Sequence, residues 1–485
     1  MMRCLTCLTA LALAAAAASP LRAQTTPTER TAAGSVLQEI DRLQARLNPT
    51  ATAERLAARR DAGRDRVLQR VEALWTSQMQ ALSDWIGRNP ESGWKEVRAV
   101  DTLTKVLRGM GFQVQTGVAD LKTAFVASWD SPAGTNGPTL GLIGEYDALR
   151  GTQGDFHGDQ HNAQTPVAIA AAAALQQEMT ERRIPGRIRL YGTPAEEVGP
   201  PAKAIMWKAG VFKDADILIR SHSSGGGTGR ARAGFGVCCL NINSVKYVFK
   251  GRPAHQLSSW NGRNALEAAV MFYTAVDRLR SGLRPEAAIQ GVIPEGGVAP
   301  NVVPDRAVVD YYIRYPDEVY LAHIDSMMTH AARGAAEAMG VELEIDRYGE
   351  YRDGIALGSL EELKFAYAKK LGAPKLNAEP QRPSGYEETG WVTRDIPGVG
   401  VSVFSSNSPN HTYGMNEDNF KDVGHTGFVM DARIMAAVLY DFLTDARLRE
   451  AVQTEHKAMA ALFDRYLEGL QAAYAQELGR TTSEH

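Results

Sequence analysis

Glu196 and Glu197 stand side by side in the run Gly192-Thr193-Pro194-Ala195-Glu196-Glu197. Adjacent carboxylates let one hold a metal while its neighbour handles a proton, a division of labour suited to amide hydrolysis. An acidic pair alone is most often a solvated surface feature. This one has company: Glu145-Tyr146-Asp147-Ala148-Leu149 and His157-Gly158-Asp159-Gln160-His161-Asn162 lie upstream, and His222 and His411 lie downstream. Acidic and imidazole side chains thus recur at the ends of apolar runs, which is the composition of a metal site.

The elements that must position them follow from periodicity. Thr139 to Gly144 is nearly continuous in apolar residues, as a strand buried on both faces is, and Glu145 and Asp147 follow its end. An Ala-rich helix from about Pro166 to Met179 leads to a strand at 187–191, which ends toward Glu196 and Glu197; a helix after Pro201 leads to a strand at 217–220, which ends at His222. Alternation of this kind predicts an open α/β sheet, with ligands beyond the carboxyl ends of its strands. Random surface charges have no reason to follow strand ends.

From about Leu240 the pattern becomes strand, helix, strand, strand, helix, strand, through Val341-Glu342-Leu343-Glu344-Ile345, the order of a small inserted α+β sandwich. The α/β core resumes with a helix at 360–370, a strand at 398–404 and a helix at 427–444. Upstream, a helix with Val67, Val71, Leu74, Trp75, Met79 and Leu82 on one side follows a polar segment broken at Asn48-Pro49. The charged tail from Leu448 carries an apolar stripe and is expected to pack on the core rather than on a membrane.

The chain has 485 residues, 44% of them hydrophobic and 22% charged, with a net charge of -3. That is long enough for two or three domains, and it gives no electrostatic reason to expect nucleic acid or an anionic membrane as partner. Arg3 followed by the apolar stretch from Leu5 to Ala18 reads as a secretory signal peptide cut after Ala23, with an uncleaved anchor as the alternative. A periplasmic or secreted location follows. Loss of Cys4 and Cys7 with the leader leaves only Cys238 and Cys239, expected as thiols in a strand, so any metal must rest on histidine and carboxylate.

With these residues in view, the chain resembles the M20 metallopeptidase and amidohydrolase family, in its branch of aminobenzoyl-glutamate, hippurate and indole-acetyl-amino-acid hydrolases. The matching stretches are Gly144 through Leu149, His157 through Asn162, Gly192 through Glu197, His222, Phe249 through His255, Gly296 through Pro304, and Pro409-Asn410-His411. The resemblance implies an α/β exopeptidase-like catalytic domain, a central mixed sheet flanked by helices, with an inserted α+β ferredoxin-like lid and dimerisation domain. Its expected limits are 1–23 for the signal peptide, 24–239 and 353–485 for the two catalytic parts, and 240–352 for the lid.

The resemblance also implies roles. Glu196 falls on the general base; Asp159, His161, Glu197, His222 and His411 fall on ligands of one or two divalent ions, zinc first, with manganese or cobalt as alternatives. Asp147, with Glu145 beside it, falls on an acid that orients the ligands. His255 matches a lid histidine that supports the oxyanion across a homodimer, Asn301 a lid asparagine near substrate, and Arg314 sits where a cation anchors a substrate carboxylate. Three positions and one turn depart from the branch: Asp159 stands for cysteine, Gln160 for glycine, Arg150 for proline, and Val198-Gly199-Pro200-Pro201 for a glycine-rich turn.

The activity expected is cleavage of an N-acyl or N-aroyl amino acid, with a dipeptidase or carboxypeptidase as the nearest variant and a non-catalytic binding protein as the other class. Retention of both glutamates and three motif histidines favours the enzyme. His323, His330, His425, His456 and His485 read as surface or satisfied core residues, and Glu388 equally as a supporting residue or a solvated loop charge.

Overall fold

The apolar run at 139–144 forms a strand in which every residue is buried. The computed structural model describes residues 26–236, 240–382 and 390–477; the leader, Cys238, Cys239, Glu388 and His485 lie outside them. In chain order the strands that matter are β1 (Gln113–Thr116), β2 (Phe125–Asp130), β3 (Thr139–Gly144), β4 (Arg187–Gly192), β5 (Ile217–Ser221), β6 (Asn241–Lys250), β7 (Ala288–Glu295), β8 (Arg306–Tyr315), β9 (Glu342–Tyr351) and β10 (Gly398–Val401).

One sheet runs β1-β2-β4-β3-β5-β10. Its centre is parallel, since β3 lies between β4 and β5 and β10 extends it, whereas β2 pairs antiparallel with β4 and β1. Three adjacent strands therefore end on one edge. The helix over them, α2 (His161–Arg182), is apolar nearly all round and buried for most of its length, as a helix enclosed between a sheet and a second helical layer must be. Gly144 allows the close approach: a Cβ there would lie 2.5 Å from Thr165 Oγ1 on α2.

The inserted region forms the antiparallel sheet β9-β6-β8-β7, packed against two helices, Ala265–Leu279 and Glu318–Met339. This is the ferredoxin-like order expected. After β10 the core closes with a helix at Asp422–Thr444, and the tail forms a long helix at Ala446–Glu477.

The segment read as polar after the leader is instead helical. Its first helix, α1 (Pro27–Leu47), is opened by a capping box between Thr26 and Glu29. Ala33, Val36, Ile40 and Leu43 are buried along it, and it packs on the helix 446–477. Sparse apolar residues at spacings of three and four among many charges hid that face. No helix among the described residues is long and apolar enough to cross a membrane.

Candidate metal centre

The loops leaving the parallel strands are held in conformations that cost energy. Gln160, Ala195 and His411 all have positive φ, at 63°, 55° and 62°, a region that non-glycine residues seldom occupy outside tightly determined sites. Each is a candidate ligand or the immediate neighbour of one. Ala195 is fixed from behind, where its N–H donates to Glu96 Oε1 at 2.8 Å. Burial, with Asp147 adding repulsion, pushes the Glu96 carboxyl up to about 7.

His161, the first residue of α2, places its Nδ1 3.0 Å from Asp147 Oδ1, and the other oxygen of Asp147 accepts the Glu197 N–H at 2.9 Å. One carboxylate thus orients two neighbouring candidates, as acids behind metal-bound histidines do. His161 Nε2 is left buried with no hydrogen-bond partner. Asp159 Oδ2 lies 3.3 Å from His222 Nε2 and 3.4 Å from His411 Nε2, and His411 Nε2 lies 3.9 Å from Glu197 Oε2.

Three overlapping sets of donor atoms emerge: Asp159, Glu197 and His411; His161, Glu196 and Glu197; and Glu145, His161 and His222, each set within 4.8 Å. Donors bound to one ion at about 2.0–2.2 Å lie roughly 3–4 Å from each other, so the spacing suits a divalent cation. The charges agree. Burial, reinforced by the charge of Glu196, pushes Glu197 up to about 8. Burial acts on Asp159 in the same direction, but His222 and His411 outweigh it and hold its carboxyl well below the usual range.

Several supporting residues were not singled out from the sequence. Asp431, in the helix 422–444, accepts Ser221 Oγ at 2.6 Å and Ser223 Oγ at 2.7 Å, gripping both neighbours of His222. Asn410 donates to Asp159 Oδ1. Lys203 and Arg220 are buried against Glu145. Asn410 alone carried a signal, since it stands in the Pro409-Asn410-His411 triplet; the others are single charges inside apolar helices or strands.

His255, Asn301 and Arg314 belong to none of the donor sets. The first two lie together in the lid: His255 Nδ1 accepts the Leu257 N–H at 3.1 Å, and the Asn301 carbonyl accepts the Gln256 N–H at 3.1 Å. Arg314, on β8, lines a cavity of about 430 Å³ on the lid sheet with Tyr312 and Tyr348. Tyr348 meets the loop after Glu197, because a Cβ on Gly199 would lie 2.5 Å from its ring.

Residues 239–339 match the model of a peptidase dimerisation domain, M20 type. The chain is 28% identical to Xaa-Arg dipeptidase of Mus musculus, over 81% of this chain and 91% of that relative. It is 26% identical to a p-aminobenzoyl-glutamate hydrolase chain of Escherichia coli (strain K12), over 78% and 91%. The chain is thus similar to the M20 metallopeptidases and amidohydrolases over most of its length and matches their dimerisation domain. Its M20 fold is shared with the aminobenzoyl-glutamate utilization protein from Klebsiella pneumoniae, with a TM-score of 0.58 and 20% identity, covering 78% of this chain and 99% of that one. With hydrolases of this kind as its relatives, it is a metal-dependent amide hydrolase of the M20 type.

Proposed function

We propose that this protein cleaves the amide bond of an N-acyl or N-aroyl amino acid, an aminobenzoyl-glutamate-like substrate, with Glu196 as general base. Asp159, His161, Glu197, His222 and His411 would hold one or two divalent ions, with zinc preferred over manganese or cobalt. The observation that carries this reading is the convergence of imidazole and carboxylate atoms from buried Asp159 and His161, half-buried Glu197 and His222, and exposed His411, with His161 Nε2 lacking any hydrogen-bond partner.

Such an ion supplies Lewis acidity, polarising the scissile carbonyl and acidifying water. Glu196 takes the proton of the attacking water and passes it to the leaving amine. Asp147 holds His161 and the backbone of Glu197 in register throughout. Arg314, beside Tyr312 and Tyr348, receives the substrate carboxylate on the lid side, where Asn301 also borders the substrate.

The lid is also proposed to carry a homodimer. Its edge strand β7 exposes Val292 and Ile293, and the adjoining helix exposes Val270 and Met271, surfaces that a second copy would cover. His255, flanked by the exposed Leu257 and Trp260, would then reach the partner's site and stabilise the oxyanion. Export through a cleaved leader, to the periplasm or outside the cell, is proposed from Arg3 and the apolar stretch after it; N-terminal sequencing of the mature protein tests it. Dipeptide cleavage is the second reading, favoured by the likeness to Xaa-Arg dipeptidase. A screen of metal-reconstituted protein against N-acyl amino acids, N-aroyl amino acids and dipeptides separates the two: faster turnover of dipeptides than of every acylated amino acid overturns the first.

A further inference from the structure

Glu145 was expected only to support the ligands. Its side chain is completely buried, and its two oxygens have different surroundings. Oε1 carries Lys203 Nζ at 2.5 Å and Arg220 Nη1 at 2.9 Å, both cations buried. Oε2 has no hydrogen-bond partner and lies 3.2 Å from His161 Nε2, itself without one. The remaining nitrogen of that ring is committed to Asp147. Two orphaned donor atoms therefore face each other across a gap of the size that separates two ligands on one ion.

We propose that Glu145 is itself a cation donor: its Oε2, with His161 Nε2 and a ring nitrogen of His222, forms a second divalent-cation position beside the one made by Asp159, Glu197 and His411. This rests on the metal-centre reading above. Lys203 and Arg220 are positioning residues. By occupying Oε1 they fix the carboxylate plane and leave only Oε2 for the ion, and their charge weakens Glu145 as a donor. The two positions therefore differ: the set with Asp159, an acid oriented by the uncharged Asn410, fills first, and the set with Glu145 fills second.

The test uses full-length protein stripped with chelator and titrated with Mn²⁺, bound metal being counted by mass spectrometry and followed by electron paramagnetic resonance. The wild type is expected to bind two ions at least tenfold apart in affinity, the second broadening the signal of the first. E145Q loses the second ion and keeps the first. Because E145Q leaves two buried cations short of a partner, the double variant E145Q/K203M, with the local charge rebalanced, is measured beside it and gives the same loss. K203M alone tightens the second ion at least threefold, and K203R restores the wild-type value.

Two ions bound to both E145Q and the double variant with wild-type affinities would overturn the proposal and leave Glu145 as an ion-pair partner of a protonated His161. An unchanged second affinity in K203M removes the role given to Lys203. Absence of any bound ion in the wild type overturns the metal-centre reading itself, a different failure.

Discussion

The metal pocket and the outer edge of the lid break opposite rules of protein anatomy. In the pocket, Glu145, Asp147, Asp159 and His161 lie buried, with His161 Nε2 and Glu145 Oε2 lacking hydrogen-bond partners. On the lid, Val292, Trp260 and Val298 stand 61%, 74% and 97% exposed. A buried polar atom without a partner and an apolar side chain without a cover are each costly, and each marks a place where something outside the chain completes the structure. On the proposed reading, a cation does so in the first case and a second copy of the chain in the second. Removal of metal should therefore cripple chemistry without dissociating the proposed dimer, whereas damage to the lid edge should separate copies while leaving the ions bound.

The largest effect expected is that of metal removal. Exhaustive chelation should abolish hydrolysis, by roughly 10³-fold or more, with sedimentation unchanged, and restoring Zn²⁺ or Mn²⁺ should recover it. Activity that survives in demonstrably metal-free protein would show that the pocket works without an ion. Next comes the acid behind the ligands. Asp147→Asn should lower metal affinity by about 10–100-fold, as loss of such orienting partners does, read by competition with a chromophoric chelator.

The lid edge gives a smaller effect on a different axis. Val292→Lys places a charge on an edge strand, and such charges block edge pairing. Analytical ultracentrifugation should show self-association weakened by at least about tenfold, toward monomer, with metal content intact. A variant that remains dimeric moves the interface elsewhere.

The smallest effect concerns the junction of the two regions. Asp353, fully buried just after β9, has its carboxyl pushed up to about 7, first by burial and then by the charge of Glu318. A carboxyl raised in the folded state contributes stability that is complete below its unfolded value near 3.8 and is lost as pH rises through about 7. Asp353→Asn removes this loss. Relative to wild type, the variant should gain stability between pH 5 and pH 8, by at most about 3 kcal/mol, measured by denaturant melts at both pH values.

The two regions were also unequally legible in the sequence. The donors at the ends of β3, β4 and β5 stood out because their residue types are rare at the ends of apolar runs, and runs of period two and period 3.6 carried the sheet and the lid order. Lys203, Arg220 and Asp431 did not stand out. Each is one charge within an apolar stretch, and only the packing of a helix against the sheet reveals which buried charge it meets. Helix α1 was missed for the converse reason: its apolar face is narrow and small, and it becomes evident only with the helix 446–477 lying against it. Pairing across long separations is what a local pattern does not encode.

The central claim is that Glu196 moves a proton while its neighbours hold metal. The direct test is to measure turnover of an N-acyl amino acid, found by the substrate screen, and bound metal in the same preparations of wild type and Glu196→Ala. Equal metal content and a loss of turnover of about 10²–10⁴-fold are expected in the variant, the range for removing a general base. Equal turnover by the two proteins would contradict that claim.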